Sequence, residues 1–180
     1  YGPKGIGALY VRRKNPRVTI KAQIDGGGHE RNMRSGTLNV PGIVGIGKAT
    51  ELALLEMEKR QEKLQLLRDK LETSLLQFGN VKINGDSGHR LPSTGNLCFG
   101  DINGTNLLAA ISKKIAVSSG SASTEPSHVL KAMGLSEEEA RNSIRFSLGI
   151  MTTEQEIDLA LKEISEILGQ LRAEEKNIPG

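Results

Sequence analysis

Cysteine, tryptophan and aromatic residues in general are scarce in this 180-residue sequence, which has one Cys, no Trp, two Tyr and three Phe. A single cysteine, Cys98, excludes an internal disulfide framework and any metal site built from cysteines alone, and it fits a reducing compartment. So few aromatics leave no platform on which nucleobases would stack. Charge of one sign is lacking too. The 24 Lys and Arg against 21 Asp and Glu leave a net charge of +3, too small an imbalance to point to nucleic acid. Apolar runs are only a few residues long, so no segment reads as a membrane span, and the first residues do not read as a signal peptide. With 37% hydrophobic and 25% charged residues, the composition is that of a globular chain rather than a disordered one.

Glycine is what the chain has in excess, 21 residues in all, concentrated toward the front. Tyr1-Gly2-Pro3-Lys4-Gly5-Ile6-Gly7 feeds directly into Ala8-Leu9-Tyr10-Val11, which has strand composition. A glycine-rich turn leading into a buried strand is an interior feature of a domain, so further residues are expected upstream of Tyr1. Residues 6–11 and 18–24 read as strands, joined by the basic turn Arg12-Arg13-Lys14-Asn15-Pro16-Arg17. No Gly or Pro interrupts residues 48–78, and Leu52, Leu55, Leu64, Leu67, Leu71, Leu75 and Phe78 recur mostly three or four apart. That spacing predicts one long helix stopped by Gly79, or two helices broken near residues 59–63. A coiled coil is a weaker alternative because no heptad is held.

Beyond Gly79 the period shortens. Val81 and Ile83, then residues 95–99, read as strands, and Asn103 or Thr105 caps a helix carrying Leu107, Leu108 and Ile111. Residues 115–118 look strand-like, and residues 118–124 form a loop of small side chains. A helix over residues 128–133 stops at Gly134. Ser136 and Thr153 each begin a capping box. Between them residues 143–148 alternate, with Ile144, Phe146 and Leu148 on one face and Ser143, Arg145 and Ser147 on the other. A last helix carries Ile157, Leu161, Ile164, Leu168 and Leu171 on one side. The order predicts an α+β layer with helices covering one face of a sheet.

The richest polar cluster is Gly26-Gly27-Gly28-His29-Glu30-Arg31 with Arg34-Ser35-Gly36-Thr37. Consecutive glycines, two arginines and a hydroxyl suit a phosphate or carboxylate, although the spacing matches no nucleotide-binding fingerprint and a merely flexible loop is equally compatible. Arg145 lies mid-strand between apolar neighbours; it either clamps a carboxylate through two parallel hydrogen bonds or is exposed to water on an edge. His29 and His128 are acid–base candidates, but neither has a metal-ligand partner at helical spacing, and a surface or satisfied histidine is the commoner role; His89 lies in a loop. Cys98 belongs to a buried strand.

Taken together and in order, the phrases around Tyr1, Gly26 and Arg34, with Ser118-Ser119-Gly120-Ser121-Ala122, Glu125-Pro126-Ser127-His128-Val129-Leu130 and Ile144-Arg145-Phe146-Ser147-Leu148-Gly149, resemble the C-terminal half of NifS/IscS-type cysteine desulfurases. The resemblance covers essentially the whole chain. It implies an α/β protein of the fold type I pyridoxal-phosphate class, with residues 1–43 ending the large domain, 44–79 forming a connecting helix region and 80–180 an α+β small domain. It further implies a cytoplasmic homodimer that uses pyridoxal 5′-phosphate to convert L-cysteine to L-alanine. A loop cysteine would pass the sulfur as a persulfide to an iron–sulfur scaffold or another acceptor protein, with no role for membrane or nucleic acid. Thr37 matches the threonine that reaches the cofactor phosphate of the neighbouring subunit, with Arg34 beside it, and Arg145 matches the arginine that holds the substrate carboxylate.

Two departures bear on activity. The family's Schiff-base lysine falls two residues before the position of Tyr1, and Lys4 is a different lysine of the motif. The family also places its nucleophilic cysteine where this sequence runs directly from Ala122 to Ser123, and a serine hydroxyl is neither acidic nor soft enough to replace it. The 180-residue chain alone is therefore expected to be inactive. A selenocysteine lyase of the same fold is one alternative, and a non-catalytic docking partner, if the loop deletion is real, is another.

Overall fold

The computed structural model describes residues 1–119 and 125–176, the side chains of 175 and 176 excepted. Two compact units make up the chain, Tyr1–Met57 and Glu58–Gly180, and the backbone passes from one to the other within a single helix. That helix, α2 (Val40–Leu76), is continuous over 37 residues, so of the two alternatives the single long helix is the one formed and there is no break near residues 59–63. It also starts ahead of residue 48. Asn39 accepts a hydrogen bond from the Gly42 amide at 3.2 Å, and Pro41 sits in the first turn, where an amide has no intrahelical partner to lose. This cap outweighs the poor helix propensity of Gly42, Gly45 and Gly47. At the far end Gly79, with φ +72°, takes the left-handed conformation that closes a helix.

The first unit differs from its sequence reading. Residues 6–11 and 18–24 form no strand; a hydrogen bond from the Val18 amide to the Arg12 carbonyl, 2.9 Å, closes the turn between them. Leu9, Tyr10, Val18, Ile20 and Ile24 are exposed. Strand composition yields a strand only where a neighbour supplies a ladder and a buried face, and these segments find neither among the described residues. What the unit does contain is α1 (His29–Asn32), a single distorted turn in which Glu30 and Arg31 have left-handed φ of 50° and 59°.

In the second unit, β1 (Val81–Ile83), β2 (Thr94–Phe99) and β3 (Ser143–Ser147) form an antiparallel sheet in the order β1-β2-β3. Register places Val81 opposite Phe99, Leu97 opposite Ile144 and Gly95 opposite Phe146, so one face is apolar. Three helical segments cover it. Leu71 and Leu75 come from α2, Leu107 and Ile111 from α3 (Gly104–Ile111), and Ile157, Ile164 and Leu168 from α6 (Glu154–Lys176). Full burial of each such side chain is worth about 2 kcal/mol, and Leu75→Ala, at a wholly buried position, would cost about 3 kcal/mol.

Local signals set the helix starts. Asn103 accepts from the Thr105 and Asn106 amides, and Ser136 forms a full capping box with Glu139 ahead of α5 (Glu137–Arg141). Ser127 caps α4 (His128–Ala132), and Thr153 and Glu156 bond reciprocally before α6. Residues 115–118 make no strand; one bridge, Ser118 to Arg145, is all that forms. Ser143 also departs from strict alternation. It lies on the polar face yet is wholly buried, donating to the Glu139 carbonyl at 2.6 Å and accepting from Asn84 Nδ2 at 2.8 Å.

Candidate functional site

Arg145 projects from β3 on the face opposite the core, directly across from Asn96 of β2. Its main chain is pinned on the other side by Ser118, with the Arg145 amide donating to the Ser118 carbonyl at 2.7 Å and the Ser118 amide donating back at 3.2 Å. The guanidinium is exposed, and Nη2 makes one long contact, 3.5 Å, with the Ser118 hydroxyl. No carboxylate lies within ion-pair distance of it among the described residues. A charged fork on a rigid strand, facing solvent with only a neutral neighbour, has the arrangement needed to take an external carboxylate bidentately. Nearby, Asn84 Nδ2 donates to Asn96 Oδ1 at 2.7 Å as well as to Ser143, so the polar face around Arg145 is itself tied down.

The loop from Gly26 to Thr37 belongs to the first unit. Its shape is set by the Ser35 amide donating to the Ile24 carbonyl at 3.1 Å and the Gly36 amide donating to His29 Nδ1 at 3.3 Å. His29 therefore acts as an internal brace of the loop. Gly36, with φ +119°, is in a conformation that a side chain would strain, and a Cβ there would meet Arg34 Nη1 at 3.2 Å. Arg34 and Thr37 are both exposed and have no hydrogen-bond or ion-pair partner among the described residues. Two unpaired donors next to glycine backbone suit a dianion such as a phosphate.

Thus Arg34 and Thr37 sit in one unit and Arg145 in the other. The remaining candidates separate from them. Cys98 is wholly buried in β2, where desolvation pushes its thiol up from the usual value, against partial relief from the Ser143 hydroxyl and Lys82. A thiol held protonated and inaccessible is a core residue. His89 is exposed in a turn built on Asp86, whose carboxylate accepts from the Gly88 and His89 amides at 2.6 and 2.9 Å. His128 is exposed in the first turn of α4. No cluster of His, Cys, Asp and Glu able to hold a metal occurs among the described residues. The junction of Ala122 and Ser123, where the resemblance places a nucleophilic cysteine, lies outside the described residues. Sequence reading did not identify Ser118 as a neighbour of Arg145. The two are 27 positions apart and share no periodic signal.

Among the described residues no helix is long and apolar enough to cross a membrane. The family pattern "Aminotransferase class-V" matches residues 1–160. The chain is 52% identical over 177 residues to "Cysteine desulfurase IscS" of Anaeromyxobacter dehalogenans (strain 2CP-C), covering 96% of this chain and 43% of that protein. It is also 52% identical over 176 residues to a protein of the same name from Escherichia coli O139:H28, again 43% of whose length is covered. Among solved structures, a "NIFS-LIKE PROTEIN" superposes with TM-score 0.76 at 39% identity, over 87% of this chain and 41% of the other. A NifS-like protein from Rickettsia africae ESF-5 superposes at 0.75 with 34% identity, over 84% and 41%. The chain thus spans less than half the length of the relatives it matches.

Proposed function

Since this chain belongs to the class-V aminotransferase family, we propose that it is the C-terminal part of a pyridoxal-phosphate-dependent cysteine desulfurase, with the α/β architecture of fold type I. The whole protein takes the sulfur of L-cysteine, leaves L-alanine and hands the sulfur to an acceptor protein such as an iron–sulfur scaffold. The observation that carries this reading is Arg145, a guanidinium on a rigid strand with no internal carboxylate among the described residues. It holds the α-carboxylate of the amino acid, fixing which bonds at the α-carbon face the reacting group.

The donor set of the first unit fits the cofactor's phosphate. Thr37 and Arg34 offer a hydroxyl and a guanidinium, both exposed and unpaired among the described residues, on either side of Gly36. In a homodimer these two residues serve the phosphate bound by the partner subunit. When bound, pyridoxal 5′-phosphate supplies the electron sink that makes removal of the α-proton, and with it cleavage of the Cβ–Sγ bond, feasible. Residues 1–43 then end the large domain, 44–79 connect, and 80–180 form the small domain. A reducing, cytoplasmic location goes with this reading, since the chain's one cysteine is a free buried thiol.

The test is made on the full-length protein that carries this sequence. It should bind pyridoxal 5′-phosphate and release sulfide from L-cysteine in the presence of a thiol reductant. Arg145→Ala should raise the KM for L-cysteine at least about a hundredfold, as expected for loss of a bidentate charged pair. Failure to bind the cofactor would overturn the reading. A strong preference for selenocysteine in direct competition would move the protein to the lyase branch of the same fold.

A further inference from the structure

Three arginines of the second unit find an acid. Arg68 lies 2.7 Å from Asp69, Arg90 2.5 Å from Glu72 and Arg172 2.9 Å from Asp101. Arg145 has Ser118 instead. The two residues form a reciprocal antiparallel pair, 2.7 and 3.2 Å, which sets their side chains on the same face of the sheet. Asn96 stands on the other side of Arg145 across the β2–β3 ladder, its own side chain held by Asn84 at 2.7 Å. Arg145 is therefore flanked across the sheet by two neutral residues, Ser118 and Asn96.

We propose that Ser118 is the positioning residue of Arg145. The inference rests on the carboxylate-binding reading of Arg145 given above and extends it to a residue outside the clamp. A hydroxyl is suited to this place because it steers the guanidinium through a weak, neutral contact of 3.5 Å and leaves the charge and the other donors free for a ligand. A carboxylate there would capture the fork permanently. An apolar side chain would leave it to sample many rotamers, and the ligand would then have to order it.

The experiment measures binding of L-alanine and of ethylamine, the same amine without the carboxylate, to the full-length holoenzyme by calorimetry. It also measures KM and kcat for L-cysteine. In Ser118→Ala, L-alanine binding and KM should worsen roughly threefold to tenfold, the range of one ordinary hydrogen bond, as suits a long contact of 3.5 Å, with ethylamine binding and kcat little changed. Ser118→Thr keeps the hydroxyl and should restore both values. Ser118→Asp should weaken L-alanine by more than about tenfold while sparing ethylamine. Unchanged L-alanine binding in Ser118→Ala, or equal weakening of both ligands, would overturn the proposal. If Arg145→Ala fails to weaken L-alanine more than ethylamine, the clamp itself is wrong and the positioning role falls with it. If Arg145→Ala behaves as a clamp and Ser118→Ala does not respond, only the positioning role is lost.

Discussion

Arg90 grips Glu72 with both prongs of its guanidinium, Nη1 to Oε1 at 2.6 Å and Nη2 to Oε2 at 2.5 Å. The Glu72 carboxylate is almost wholly buried in α2 and has Arg68 at 3.9 Å as a second, looser partner. Gly95 of β2 stands where a Cβ would collide with that carboxylate, so the absence of a side chain there makes room for the pair. The pair joins α2 to the segment leading into β2, and Arg68 adds a bond to the Leu91 carbonyl at 3.0 Å.

Breaking the pair from one side should be costly. Arg90→Met leaves a buried carboxylate with only the longer Arg68 contact, and about 3 kcal/mol of stability should be lost. The double replacement Glu72→Met with Arg90→Met should recover most of it, because neither charge is then stranded. Urea unfolding of the single and double variants checks this, and additive losses would contradict it.

The Lys82–Glu139 ion pair should make stability acid-sensitive. Lys82, helped by the Ser136 amide, holds the Glu139 carboxyl down to about 2, well below the ordinary value of 4.5. A carboxyl depressed on folding adds stability above its unfolded pKa and loses it as pH falls through the folded one. The loss is therefore expected between pH 4.5 and about 2. Urea midpoints followed across that window should fall less steeply in Lys82→Met than in the parent, and more gently still in Glu139→Gln.

Two glycines should respond differently to alanine. The Gly104 amide donates to Asn142 Oδ1 at 2.9 Å, and a Cβ there would drive into the Arg141 carbonyl and the Asn142 Cα at 2.6 Å. Backbone cannot step aside as a flexible side chain can, so Gly104→Ala should cost about 3 kcal/mol. Gly134 has φ +95° and open space around it, so Gly134→Ala should cost only about 1 kcal/mol of backbone strain. Thermal midpoints of the two variants would rank them.

Cys98 should be inert while the chain is folded. Burial and its raised pKa leave little thiolate, so iodoacetamide at pH 8 should not label it until denaturant is added. Labelling of native protein at the rate of a free thiol would show that β2 opens readily. Cys98→Ala should leave sulfide release by the full-length protein intact.

Much of the second unit could be read locally. Ile144 and Phe146 at spacing two and Ile157, Ile164 and Leu168 at helical spacing all reach the core. The boxes at Ser136 and Thr153 cap the helices they were expected to cap. Legibility failed where composition was local and its partner was not. Residues 6–11 and 18–24 have the composition of strands, but no neighbour in the described chain completes a ladder for them.

Family phrases and side-chain chemistry mark Arg34, Thr37 and Arg145 as candidates, because a charged fork mid-strand and donors beside glycines can be recognised in one dimension. The sequence by itself thus determined the periodic faces and the caps and stops of the helices, and it named the groups proposed to meet an anion. Tertiary structure alone decided that Arg145 would sit beside neutral Ser118 while Arg90 closed on Glu72, and that Ser143 would be buried on the polar face. The reason is physical. Period and capping are written within a few residues, whereas a charge's partner is chosen by loop closures spanning tens of residues, which leave no spacing rule behind.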